Sequence, residues 1–258
     1  MVVNFLNDDS SFFYILLDKL KIVDYNLKQK MTNGHILYLS HLKERIMGIA
    51  ERKEREKERR RQEIIDAAER VFFSKGIQNA TMDDVAQEAE LSKGTLYLYF
   101  NSKIELYLAI NIRGVEILNE IFLKAFDSVE TGLQKTYALG RAFLEFANGY
   151  PDYYNALSYY EFYELELDSD SQTTQMCAKS GHAVLEKVID ALRLGIEDGS
   201  VKPDIDPVLT ANILWAQSSG MIQFATEKKH HLEQDHGISV DDFIDYYFKM
   251  IGCSIENR

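Results

Sequence analysis

Residues that break regular structure are scarce in this 258-residue chain, with three prolines and 14 glycines. So few breakers leave little material for the closely spaced turns of a many-stranded sandwich or barrel. Cysteine is scarcer still. Cys177 and Cys253 are the only two, which gives neither a metal-ligand spacing nor a disulfide framework. A reduced, cytoplasmic compartment is the plain reading. No apolar run approaches the roughly 20 residues that span a bilayer. The patch from Phe12 to Leu20 is interrupted by Asp18 and Lys19, and the start lacks the basic lead and small-residue cleavage site of a secretory signal. Also missing are Gly-x-Ser-x-Gly, a phosphate loop, a dinucleotide fingerprint and a zinc-protease signature, so no catalytic residues are assigned and an enzyme reading finds no motif.

What is present is helical. Capped segments with apolar residues every three to four positions recur along the chain, and strand patterns are rare, so the fold class is all-α. The net charge is -12, which by itself argues against a polyanionic partner. Its distribution qualifies that reading. Residues 1–46 carry six basic and five acidic side chains, residues 47–110 carry 11 and 12, and residues 111–258 carry 12 and 24. The acid therefore lies in the C-terminal part.

The most informative stretch runs from Thr81 to Lys103. Thr81 with Asp84 spells a capping box ahead of a short helix bearing Val85, Ala86 and Ala89. Ser92 is placed to cap a second short helix, anchored by Leu96 and Phe100 four residues apart. That leaves Lys93, Thr95, Tyr97 and Tyr99 on other faces. Ser102 with Glu105 suggests another capping box. Two helices joined by a three- to four-residue turn form a helix-turn-helix, whose second helix enters the major groove of DNA.

Gly76, Thr81, Val85, Ala86, Ala89, the run Ser92 to Tyr97, Tyr99, Phe100, Ser102, Lys103 and Leu106 together resemble the tetracycline-repressor (TetR) family of bacterial transcription regulators. The resemblance covers about Arg60 to Ile110. One position departs from it: the turn before Leu91 usually carries Gly in the family and here carries Glu90. In a left-handed conformation Glu costs about 1 kcal/mol relative to Gly. The resemblance implies a three-helix DNA-binding head over 47–105 and a larger ligand-binding and dimerisation body over 106–258. Double-stranded operator DNA is then the partner, contacted by Ser92, Lys93, Thr95, Tyr97 and Tyr99. Gly94 would allow close backbone approach, and Thr81 and Lys103 would hold phosphates. It also implies a homodimer built from the last two helices, a small hydrophobic or aromatic effector, and the function of a ligand-released repressor. No cofactor and no membrane partner are expected.

Residues 1–46 do not fit that plan. Met47 is followed by the charged lead-in with which such proteins start, so translation from Met47, or from Met31, is the preferred expectation; a genuine extension lying on the body is the alternative. Arg52 to Arg61 holds seven basic residues with acids between them. It reads either as a solvated helical lead-in or as a flank whose Arg59, Arg60 and Arg61 touch phosphate. Further helices are expected from Ser102 to about Asp127, with Leu106, Ile110, Ile117 and Ile121 in one stripe, and from Gly132 to Gly149. Others follow from Pro151, from Ser171 to Gly199 with Met176 and Ala183 among its apolar positions, from Pro207 to about Lys228, and from Val240 to Cys253.

Tyr150 to Leu167 is rich in tyrosine interleaved with glutamate. Core packing is one reading. The other is the wall of an effector pocket made by Tyr154, Tyr159, Glu161, Phe162, Tyr163 and the sole tryptophan, Trp215. Such a wall suits a flat or amphipathic molecule, and an organic cation if a glutamate faces inward. The last two helices carry apolar residues on more than one side, with Ile213, Met221, Phe243, Tyr247 and Phe248 expected in the dimer seam. His182 is expected as a packed or surface side chain. His230, His231 and His236 are expected in a polar linker rather than a metal site.

Overall fold

The structure, a computed structural model, describes residues 33–162 and 171–257, with the side chains of 33–47, 49, 50 and 162 outside the description. Most of the expected extension therefore lies outside it, as do Tyr163 and the acids after it. The chain divides into two compact units, one reaching to Arg60 and one from Arg61 to Arg258. Within the second unit one long helix, Lys103–Asp127, contributes to two buried clusters.

The helices are α1 (Asn33–Lys75), α2 (Met82–Glu88), α3 (Lys93–Tyr97), α4 (Lys103–Asp127), α5 (Gly132–Gly149), α6 (Pro151–Phe162), α7 (Gln172–Glu197), α8 (Pro207–Glu227) and α9 (Val240–Ile255). A short π-helical turn, His231–Asp235, precedes α9. Among the described residues the fold is all-helical apart from one bridge pair, Val201 with Glu256. None of the described helices is long and apolar enough to cross a membrane.

The starts of these helices follow from their caps. Thr81 and Asp84 form a full capping box on α2. Ser92 Oγ accepts from the Thr95 N–H at 3.1 Å to start α3, and Ser102 Oγ accepts from the Glu105 N–H at 3.1 Å to start α4. The second capping box is only half formed. Glu105 reaches back to the Asn101 N–H at 2.8 Å, one residue before the cap. Its other oxygen accepts from Thr173 Oγ1 of α7 at 3.3 Å.

Helix α4 joins two cores. Its first half contributes Leu106, Tyr107, Ala109 and Ile110 to a cluster with Ile64, Ile65, Ala68, Val71 and Phe72 of α1, Val85 and Ala86 of α2, and Leu96 and Phe100. Its second half contributes Val115, Leu118 and Phe122 to the body core with α5, α7, α8 and α9. Each fully buried large side chain contributes about 1.5–3 kcal/mol. The expected stripe of α4 is corrected in register: Ile117 and Ile121 are only partly buried, and Val115, Leu118 and Phe122 hold the centre. In α7, Met176 and Ala183 are exposed, while Thr173, Cys177, Val184 and Val188 face inward. Helices α5 and α7 approach so closely that a Cβ on Gly132 would overlap the backbone of Gly195 and Ala191.

Candidate nucleic-acid interface and ligand cavities

The turn between α2 and α3 decides how α3 is presented. Glu90 has φ 55°, the left-handed conformation considered from sequence. Its N–H bonds the Gln87 carbonyl at 3.1 Å, and the Leu91 N–H bonds the Ala86 carbonyl at 2.9 Å. This is the paired closure of a helix C-terminus that ordinarily uses Gly at the left-handed position. The geometry is kept despite the side chain.

Helix α3 buries Leu96 and turns Ser92, Lys93, Gly94 and Tyr97 outward, with Thr95 half-buried. The Ser92 and Thr95 hydroxyls lie 2.8 Å apart, and Lys93 Nζ meets Asp83 at 2.7 Å on the surface. Such exposed pairs are worth little and part readily. A Cβ built on Gly94 would meet only Ser92 Oγ, at 3.9 Å, so nothing in the fold requires glycine there. Tyr99 is half-buried, and its carbonyl accepts from Arg61 Nη1 at 3.4 Å. Thr81 is exposed at the N-terminus of α2, hydrogen-bonded to Asp84. Lys75 and Thr81 hold the Asp84 carboxyl down at about 2.

Two basic residues are placed otherwise than expected. Lys103 Nζ donates to the carbonyls of Ile77 and Ala80 at 2.8 and 3.1 Å, with Gln78 at 3.3 Å. Its charge ties the Gly76–Ala80 turn to α4, because an ammonium supplies the donors that three carbonyls outside a helix lack. Arg61 lies over the Phe100 ring at 4.2 Å instead of standing free for phosphate.

The expected pocket wall does not assemble as one surface. Tyr154 is buried, with its hydroxyl on the Ser219 carbonyl at 3.2 Å and its ring edge-on to Phe143. Trp215 stacks on Phe143 at 4.6 Å. Glu161 is exposed and accepts from Trp215 Nε1 at 2.8 Å. Crowding of the Glu161 carboxyl pushes it up to about 7, with the indole hydrogen bond opposing. Tyr159 packs edge-on to Tyr107, away from Trp215. Phe162 has no described side chain, and Tyr163 lies outside the described residues.

Two cavities take one each of these residues, Trp215 and Tyr159. The body cavity, about 40 Å³, is lined by Phe122, Leu139, Phe143, Leu214, Trp215 and Phe248, with Ser218 and Tyr247 among its hydroxyl-bearing residues. Those two hydroxyls are 2.9 Å apart and join α8 to α9. The second cavity, about 400 Å³, lies between the end of α1, the turn after it, α4 and α6, and takes Tyr159 into its lining.

Four of the residues expected in the dimer seam pack within their own chain. Met221 and Phe248 are buried in the core of their own chain, and Phe243 and Tyr247 are half-buried against it. Of the five residues expected there, Ile213 alone is exposed. The exposed large apolar side chains of these helices are Val208, Leu209, Ile213 and Phe224 on α8 with Tyr246 and Met250 on α9.

One polar network was missed from sequence. Arg113 of α4 meets Asp66 at 2.7 Å, Glu69 at 2.9 Å and Gln62 at 2.7 Å, all on α1. Tyr153 of α6 donates to Glu69 at 2.8 Å. The available clue was a lone arginine inside the apolar run from Leu106 to Val115.

Comparison with known proteins agrees with this geometry. Residues 64–110, which are α2, α3 and the helices packed on them, match the model of the bacterial regulatory proteins of the tetR family. An HTH-type transcriptional regulator of Bacillus subtilis (strain 168), YfiR, is 31% identical over 172 residues, 66% of this chain and 81% of that protein. The HTH-type transcriptional repressor KstR2 of Rhodococcus jostii (strain RHA1) is 26% identical over 182 residues, 67% of this chain and 87% of that one. The solved structure of AibR, in complex with isovaleryl coenzyme A and operator DNA, shares the fold, with TM-score 0.54 and 18% identity over 74% of this chain and 97% of that chain. A capped helix-turn-helix on a two-core helical scaffold, with this similarity running through head and body, makes the chain a member of the TetR family of bacterial helix-turn-helix transcriptional regulators.

Proposed function

We propose that this regulator is a homodimeric repressor in the cytoplasm that leaves an approximately palindromic operator when a small hydrophobic effector enters its body. The exposed face of α3 supports the DNA role: Ser92, Lys93, Gly94 and Tyr97 point outward, and the fold itself has no need of a glycine at 94. Thr81 at the α2 N-terminus suits a phosphate, where the helix dipole favours an anion. In a twofold dimer the two recognition helices would address half-sites about 34–36 Å apart. The outward apolar row of α8 and α9 is the surface for that dimer.

The body cavity carries the effector reading. No charged side chain lines it, and its hydroxyl-bearing residues are Thr136, Tyr137 and the Ser218–Tyr247 pair. That chemistry fits an acyl chain with a carbonyl, or a neutral aromatic, and the isovaleryl coenzyme A bound by AibR is of the first kind. At about 40 Å³ the cavity is contracted. An effector must part α8 and α9 from α5 to enter, which displaces the same two helices that carry the outward apolar face. Differential affinity for the parted state would then shift the population away from the DNA-binding form.

The test pairs two readouts on one sample. An operator selected from random DNA is bound by the full chain and titrated with isovaleryl-CoA, palmitoyl-CoA and 1-naphthalenemethanol. Release of DNA with a parallel change in Trp215 emission is expected for at least one of them. Release with unchanged Trp215 emission would remove the effector from the body cavity, and failure to select any salt-sensitive DNA complex would sink the regulator reading itself.

A further inference from the structure

The cavity at the junction of head and body has the size of a ligand site as it stands. Its volume, about 400 Å³, lies within the range of roughly 300–1,000 Å³ usual for small-molecule pockets. Its walls come from both cores: Phe72 and Phe73 from the end of α1, Tyr107 and Ile110 from α4, and Ala156 and Tyr159 from α6. The Tyr107 hydroxyl is already given to the Ala156 carbonyl. The aromatic surface is therefore available for apolar contact, while that hydroxyl is not available for hydrogen bonding.

The rim is polar and of one sign. Gln78, Asn79, Asp152 and Asn155 border it, and Asp152 is the sole charged side chain in its lining. The Asp152 carboxylate has no hydrogen bond or ion pair with any described residue. No lysine or arginine lines the cavity, and the Lys103 ammonium near the same turn is held by backbone carbonyls. A carboxylate beside aromatic faces attracts an organic ammonium both by charge and by the ring quadrupoles.

We propose that this cavity is a second binding site, separate from the body cavity, for a compact organic cation whose ammonium meets Asp152 and whose apolar body lies among Phe72, Tyr107 and Tyr159. Its position gives occupancy a consequence. Phe73 meets Tyr153 edge-on at 5.2 Å, and Tyr153 bonds Glu69, the partner of Arg113. A molecule seated here braces the end of α1 against α6, beside the α4 helix that joins head and body. Binding itself does not depend on the repressor reading.

The experiment measures binding to the full chain without DNA, by calorimetry, with three probes that share one body: 1-adamantylmethylamine, 1-adamantanemethanol and 1-adamantanecarboxylate. The amine should bind at least tenfold more tightly than the alcohol, and the carboxylate least. Asp152→Asn should remove the preference for the amine and leave the alcohol unchanged. Asn155→Phe, at an exposed helical position on the rim, should abolish binding of both while helix content and melting temperature stay native. Trp215 emission should not respond to the amine. Equal affinity for the three probes, no binding of any of them, or amine binding that survives Asn155→Phe would each overturn the proposal. So would a change in Trp215 emission that persists in that variant, since it would place the amine in the body cavity.

Discussion

Single residues in the head separate what the fold needs from what DNA needs. Glu90 holds a left-handed conformation that favours glycine. Glu90→Gly is therefore expected to stabilise the protein by about 1 kcal/mol in urea denaturation without moving α3. Gly94 is the converse case. Because a Cβ there meets only Ser92 Oγ at 3.9 Å, Gly94→Ala should leave stability unchanged or raise it by up to about 1 kcal/mol. The same change should weaken operator binding at least tenfold, and unchanged binding in a filter assay would show that the DNA backbone does not approach at that point. Lys103, expected as a phosphate ligand, is instead occupied by backbone carbonyls. A loss of DNA affinity in Lys103→Ala would therefore have to be corrected for the loosened turn before it was read as a lost phosphate contact.

Glu161 gives a pH prediction at the same scale. Its carboxyl is raised above the ordinary 4.5 toward about 7 by crowding, so folding favours the neutral form. The sign follows: its contribution to stability is full below the ordinary value and is lost as pH rises from there toward 7. Ionisation also changes the acceptor of the Trp215 N–H at 2.8 Å. Trp215 emission should titrate with a midpoint between 4.5 and about 7, and Glu161→Gln should flatten the curve.

At the scale of elements, α8 and α9 are amphipathic in two directions. One face of each builds the body core through Leu214, Met221, Ile222, Ile244 and Phe248. The other face leaves Leu209, Ile213, Tyr246 and Met250 in the open. A substituted carboxylate should therefore have opposite consequences on the two faces. Ile213→Asp, on the outer face, should shift the protein toward monomer in light scattering while helix content and melting temperature of the monomer stay close to native. Phe248→Asp would replace a buried core ring beside Tyr137 and Gly140 with a carboxylate whose nearest cation is Arg141, 4.8 Å over the present ring, and should destabilise the body by several kcal/mol through the lost ring and the desolvated charge. If both variants remain dimers with native melting curves, the outer face is not the seam. Sequence periodicity found both helices. It could not say which face turns inward, because both faces are apolar and only packing separates them.

At the scale of the whole molecule, the head and body are joined by α4 and by the network around Arg113. That guanidinium holds three side chains of α1, and Tyr153 of α6 joins through Glu69. Breaking a partly buried, charge-assisted network of this kind costs about 1–3 kcal/mol. Arg113→Ala should lower stability by that order and reduce the fold-change in operator affinity produced by effector. Tyr153→Phe combined with it should add less than the sum of the two single effects, since both lean on Glu69. Fully additive losses in a double-mutant cycle would mean that the network does not act as a unit.

The sequence alone was enough for the helix-turn-helix and its caps, for the ends of α4, α5 and α8 to within a residue or two, and for the family. Each of these is carried by local chemistry: a hydroxyl before a helix, a proline in a first turn, a fixed run of short-range apolar contacts. It also located the strained turn, since a side chain where glycine belongs is visible in the letters. Tertiary structure decided the rest. Whether Tyr154 is core, Tyr159 cavity wall and Glu161 a partner of Trp215 depends on which helices cross there, and one aromatic run fed all three. Lys103 and Arg61 look like phosphate ligands in sequence. Folding brings unpaired carbonyls within reach of one and the Phe100 ring beneath the other, and those contacts take up their charge.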